Sequence, residues 1–216
     1  MSFHHIVIRL LKPLINSAAR NKLTTYFDPE IIQPLLENVW SDYAIHKDGV
    51  NREPNFGARI MVDLAILSRV FYWQLLQRTD EQIAYKIFNK IAWAIYSKMG
   101  TIVYRFTGLI SKNKYDHLLR STRLFRIFPF SSPSYQWKDL PSEHDVVAFN
   151  CERCPVANYF RECGDAHVGF NTWCQLDYRL AELWGGKLLL TNTISGGATF
   201  CDFKWEVSDH KGQTNF

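Results

Sequence analysis

No cysteine occurs before residue 151, and no acidic residue before Asp28. The chain also has no glycine-rich phosphate loop, no dinucleotide fingerprint and no G-x-S-x-G elbow, which disfavours nucleotide-dependent chemistry and the common serine-hydrolase arrangement. Long apolar runs are missing as well. The stretch 92–110 is interrupted by Lys98, Gly100 and Arg105, and the N-terminal stretch by Arg9, Lys12 and Pro13. Neither fits a membrane span or a secretory core; both read as packed helices, with no stable membrane insertion. There is no arginine-rich run, no finger spacing and no repeat. With 25 basic against 21 acidic side chains the net charge is only +4, so no nucleic acid is expected as a partner.

What is present is a large apolar fraction. At 216 residues, 47% hydrophobic and 15% aromatic, the chain can bury a substantial core, and disorder is not expected. The five cysteines cannot all pair within one chain, and the chain is too long to need disulfide staples. They are read as reduced thiols of a cytoplasmic protein. Homo-oligomerisation is left open.

The spacing of Ile60, Leu64, Leu67, Val70, Phe71 and Leu75 predicts a helix over 57–78 with one apolar face. A second helix is expected after a Thr79/Gln82 capping box, running through Ile83, Ile87, Ile91 and Ile95 and pairing antiparallel with the first. Residues 41–56 read as a loop, and the Pro- and Ser-rich segment 126–144 as a connection between a helical region (1–125) and an α+β region (145–216). In that last region DVVAFN has strand composition, Pro155 opens a short helix that Gly164 ends, and a longer helix runs from about Asn171 to Gly185 and Gly186. KLLLTNT and ATFCDFKWEV flank ISGG as a β-hairpin, with Cys201, Phe203, Trp205 and Val207 alternating onto one face. The fold class is therefore α+β: a helical N-terminal two-thirds packed on a small antiparallel sheet or hairpin, with two further helices in the C-terminal third.

Chemistry concentrates in 149–205, where all five thiols lie among Asp165, His167, Asp177 and Asp202. Cys154 precedes Pro155 and so occupies an N-cap, where unpaired N–H groups and the helix dipole favour a thiolate; Arg153 would act in the same sense. The competing reading is an inert capping thiol. Asp177 lies within the stripe Trp173, Leu176, Leu180 and Leu183, which aims a carboxylate at the apolar side, with Cys174 three residues earlier on nearly the same face. Alternatively Asp177 sits at the edge of the stripe and meets Arg179 or solvent. Cys201 and Asp202 should point to opposite faces of their strand. Thr191, Thr193, Ser195, Gly196 and Gly197 bring hydroxyls and N–H groups that either bind a carboxylate or only make the turn. A metal site is disfavoured: Cys151 and Cys154 form C-x-x-C, but no second pair follows, and Cys154 and Cys163 fall at opposite ends of one helix. No cofactor is called for.

The order Cys154-Pro155, Cys174-x-x-Asp177, Thr191-x-Thr193 with Gly196 and Gly197, then Cys201-Asp202-Phe203 resembles the L-2-amino-thiazoline-4-carboxylic acid hydrolase family, most strongly over about 145–206. The helix-hairpin organisation is also similar to the 4-vinyl-reductase type of small-molecule-binding domain, by analogy alone. The first resemblance implies hydrolytic opening of a small cyclic substrate at a C–N or C–S bond to give N-carbamoyl-cysteine. Cys174 or Cys154 would be the nucleophile and Asp177 the base or amidine anchor. The substrate-binding groups would be Thr191, Thr193, Gly196, Gly197, Cys201 and Asp202, with His167 near in sequence. Water attack guided by Asp177 is favoured over covalent attack, since no His is placed to form a Cys-His pair. Rival readings are a non-catalytic small-molecule-binding or sensing domain, and an accessory protein of a biosynthetic pathway.

Overall fold

The computed structural model describes residues 3–50, 53–141 and 145–208. Five helices come first: α1 (Phe3–Leu23), α2 (Pro29–His46), α3 (Phe56–Leu76), α4 (Glu81–Gly108) and α5 (Lys114–Ile127). They are followed by β1 (Gln136–Asp139), β2 (Val146–Arg153), α6 (Pro155–Glu162), α7 (Ala166–Leu183), β3 (Gly186–Leu189) and β4 (Cys201–Val207). The strands form one antiparallel sheet in the order β1-β2-β4-β3, and the α+β expectation holds.

α3 is the hub of the helical part. The predicted face is real, but burial extends almost all round, because α1, α2, α4 and α6 all pack on this one helix. Its buried polar groups are consequently bonded: the Gln74 amide donates to Asp42 at 2.8 Å and the Ser68 hydroxyl to Leu64 O at 2.7 Å. α4 folds back on α3 through 77–80, with Tyr72 stacked on Tyr85 and Phe71 edge-on to Phe88. The N-cap of α4 is Asp80, whose carboxylate accepts from Ile83 N at 2.9 Å, rather than Thr79. Asp is a strong capping residue one position nearer the apolar run.

The expected loop 41–56 is helical up to His46, because Tyr43 is buried in the core and Asp42 is engaged by α3. The connecting segment contains a strand, β1, which pairs with β2 and closes one edge of the sheet. Pro155 opens α6 at its first turn as expected, and Gly164 follows it at φ 75°. α7 begins at Ala166, earlier than the apolar stripe indicates, since Gly169 lets the helix start against the Phe160 ring. The hairpin is present with shorter strands: Gly186 pairs with Val207 and Leu189 with Lys204, leaving 190–200 as a loop.

Two large clusters make the core. One joins α1, α2, α3, α4 and α6; the other joins α4, α5, α7 and the sheet through Trp93, Phe125, Leu180, Trp184 and Trp205. No described helix is long and apolar enough to cross a membrane.

Candidate active site

α7 is fixed at both ends, and that fixes its inward face. Arg69 of α3 pairs with Asp165 just before the first turn, and at the far end Trp184 Nε1 donates to Gly100 O of α4 at 2.9 Å. Between them Trp173 Nε1 donates to Ser68 Oγ at 3.2 Å. Only glycine permits this approach at position 100, where a Cβ would stand 2.5 Å from Leu180 Cδ1. Held in this way, α7 turns Cys174 and Asp177 into a cavity of about 120 Å³, comparable with the roughly 150 Å³ space that admits benzene.

The opposite wall is aromatic. Phe149 of β2 stacks on Phe203 of β4 at 5.3 Å, Trp137 of β1 meets Phe149 edge-on at 5.5 Å, and Tyr135 stacks on Trp137 at 6.0 Å. Trp205, Trp184 and Phe125 continue the lining. Against so much apolar surface the polar groups among the described residues are few: four thiols, from Cys151, Cys154, Cys174 and Cys201; the hydroxyls of Ser195, Thr122, Tyr96 and Tyr135; one carboxyl, Asp177; and one cation, Arg126. Tyr135 Oη and Trp205 Nε1 are buried with no hydrogen-bond partner among the described residues. Native proteins seldom leave donors so, unless a ligand or water completes them.

Asp177 faces the cavity and nothing in the described structure compensates its charge. Burial alone pushes its carboxyl up to about 7, because the surrounding rings solvate an anion poorly. It is thus divided between acid and base at neutral pH, the condition required of a proton carrier. Arg179, its alternative partner, lies instead over the Trp93 ring at 4.5 Å.

The thiols behave differently. Cys154 is the N-cap of α6, with Sγ accepting from Ala157 N at 3.5 Å. Its thiol is nevertheless pushed up, to about 11, since burial outweighs the N–H groups of Ala157 and Val156 and the charge of Arg153. This corrects the expectation of an acidified thiol. The Arg153 guanidinium is committed to Glu53 at 2.9 and 2.7 Å and to Ser134 O. Burial pushes Cys201 up to about 12, opposed by the Ile194 N–H that its sulfur accepts at 3.2 Å. Cys174 and Cys151 are raised further by the same cause, with the Ser195 hydroxyl partly offsetting it at Cys174. At neutral pH the cavity therefore holds thiols rather than thiolates.

Of the residues singled out from the sequence, Cys154, Cys174, Asp177 and Cys201 meet at this cavity; Thr191, Thr193, Gly196, Gly197, Asp202 and His167 do not line it. The reasons are local. Asp202 accepts from Thr191 N at 2.9 Å and from Asn192 N at 2.6 Å, pinning the loop. Thr193 Oγ1 takes Gly196 N at 2.9 Å in a turn, and His167 lies exposed in the first turn of α7. The loop reaches the cavity through Ser195 instead. Sequence reasoning missed Arg126, Tyr135 and Trp137, although the density of rings in FPFSSPSYQW is more than a bare connection requires. Among the described residues no three His, Cys, Asp or Glu side chains are grouped to hold a metal ion.

An α+β fold with a ring-sized apolar cavity and, among the described residues, a single uncompensated carboxyl on its wall has the form of a candidate small-molecule site. The model of the L-2-amino-thiazoline-4-carboxylic acid hydrolase family matches residues 64–205, most of the chain and all of the cavity-forming elements, and the chain belongs to that family. No curated protein and no solved structure matches it.

Proposed function

We propose that this protein is a hydrolase that adds water to the amidine carbon of a small, sulfur- and nitrogen-containing ring acid, with L-2-amino-thiazoline-4-carboxylate as the first candidate. The observation that carries the reading is the placement of Asp177, a carboxyl with no ion pair among the described residues, on the wall of a ring-sized apolar cavity, where burial pushes it up to about 7. The activity for which the family is named supports it.

Asp177 as carboxylate takes a proton from water as the oxygen bonds to the ring carbon between nitrogen and sulfur. The tetrahedral centre then collapses with cleavage of the carbon–sulfur bond, and the proton passes to the departing ring thiolate. The product is N-carbamoyl-cysteine, the substrate plus one water. The apolar wall excludes other water and strengthens the contact between Asp177 and the amidinium. Protonated thiols at Cys154 and Cys174 favour water over sulfur as the nucleophile. Five free thiols are consistent with work in a reducing cytoplasm.

The test is the pH dependence of turnover. The rate should rise through about pH 7 as Asp177 ionises, and Asp177→Asn should lose about 100-fold or more. Cys174→Ala should stay within about tenfold of wild type if water attacks. A ligand that binds without turning over at any pH would favour the binding or sensing reading.

A further inference from the structure

The proposed reaction leaves one charged group on the cavity wall unused. Arg126, at the end of α5, is the only cation lining the cavity among the described residues. Its guanidinium lies over the Phe149 ring at 4.4 Å, with Trp137 further off at 5.9 Å, so its flat face is packed and its edges carry the donors. Nη1 bonds to Asp139, whose side chain is 70% exposed and therefore a weak partner. Nε is buried and has no hydrogen-bond partner among the described residues. The Nε–Nη2 edge, the one that grips a carboxylate through two parallel bonds, is left over.

Asp177 and Arg126 do not neutralise one another. Arg126 contributes nothing to the titration of Asp177, which burial alone governs. Both line one small apolar space, Asp177 without an ion pair among the described residues and Arg126 paired through Nη1 alone, to the exposed Asp139. A ligand carrying a cationic amidine at one end and a carboxylate at the other completes both.

We propose that Arg126 binds the carboxylate of the ligand through its free guanidinium edge, making the cavity selective for ring acids over the same rings without a carboxyl group. This rests on the cavity being the substrate site and assigns the residue that recognises the acid. Asp139 holds Arg126 from outside and leaves that edge free.

Thiazole-4-carboxylate and thiazole are titrated against the whole protein, with fluorescence of the cavity tryptophans Trp137, Trp173, Trp184 and Trp205 as the readout. Wild type should bind the acid about 10- to 100-fold tighter than thiazole, the range of one charged hydrogen-bonded pair. Arg126→Leu should abolish that preference while leaving thiazole binding intact. Asp139→Asn breaks the same ion pair without removing the cation, and should keep the preference. Equal binding of the two rings to wild type, binding of neither, or the same loss in Asp139→Asn as in Arg126→Leu overturns the assignment. Turnover is scored separately: an intact acid preference without hydrolysis removes the hydrolytic reading and leaves Arg126 standing, whereas hydrolysis without the preference does the reverse.

Discussion

Replacing Asp177 by Asn should change how stability depends on pH more than it changes stability at any one pH. The carboxyl is pushed from 3.8 to about 7 by burial, so the native state holds its proton where the unfolded chain has released it. The contribution is fully present below the unfolded value and is lost as pH rises through about 7. The complete shift corresponds to about 4 kcal/mol, of which roughly 2.5 kcal/mol develops between pH 5 and pH 8. Urea unfolding of both proteins at several pH values in that window measures it. Wild type should lose about 2.5 kcal/mol relative to Asp177→Asn as pH rises, whatever constant offset the amide introduces. Asp63, pushed up to about 7 by its own burial beside Tyr43, acts on both proteins alike and cancels. Parallel pH profiles would refute the reasoning, because they would mean that Asp177 ionises normally in the folded protein.

Alkylation of Cys154 by iodoacetamide, followed by peptide mass spectrometry, should accelerate about tenfold per pH unit up to about 11; a plateau near pH 8 would show an ordinary or acidified thiol. Gly100→Ala should cost about 1–2 kcal/mol in urea unfolding, as the clash with Leu180 exceeds the gain in helix propensity. An unchanged or raised midpoint would mean that α4 and α7 are not so closely apposed. Arg69→Met leaves Asp165 half-buried without its cation and should cost about 3 kcal/mol, read in the same way; a neutral result would show that the pair is exposed in solution.

The parts of the site legible in the sequence were those set by local rules. Pro155 after Cys154 announces a helix start, and the stripe around Asp177 fixes its inward direction. The alternation of β4 likewise separates Cys201, on the cavity, from Asp202, on the loop. What stayed hidden depends on long-range packing. Arg126, Tyr135 and Trp137 reach the cavity only because β1 pairs with β2 and folds a Pro- and Ser-rich segment back over the sheet. Sequence leaves the two readings of Cys154 open because a cap's local field is visible there, while the depth of burial that opposes it is not. In the same way Thr193 carries a suitable hydroxyl, but it accepts from Gly196 N in the loop's own turn, Thr191 is held through its N–H by Asp202, and Ser195 is the loop residue on the cavity.

Incubation of L-2-amino-thiazoline-4-carboxylate with wild type and with Asp177→Asn, followed by mass spectrometry of the small molecule, is the most direct test. Gain of one water by the substrate with wild type, and none above background with the folded variant, is the expected result. Folded wild type that yields no hydrated product, or a variant that yields as much as wild type, would contradict the assignment of this cavity and its carboxyl to the reaction.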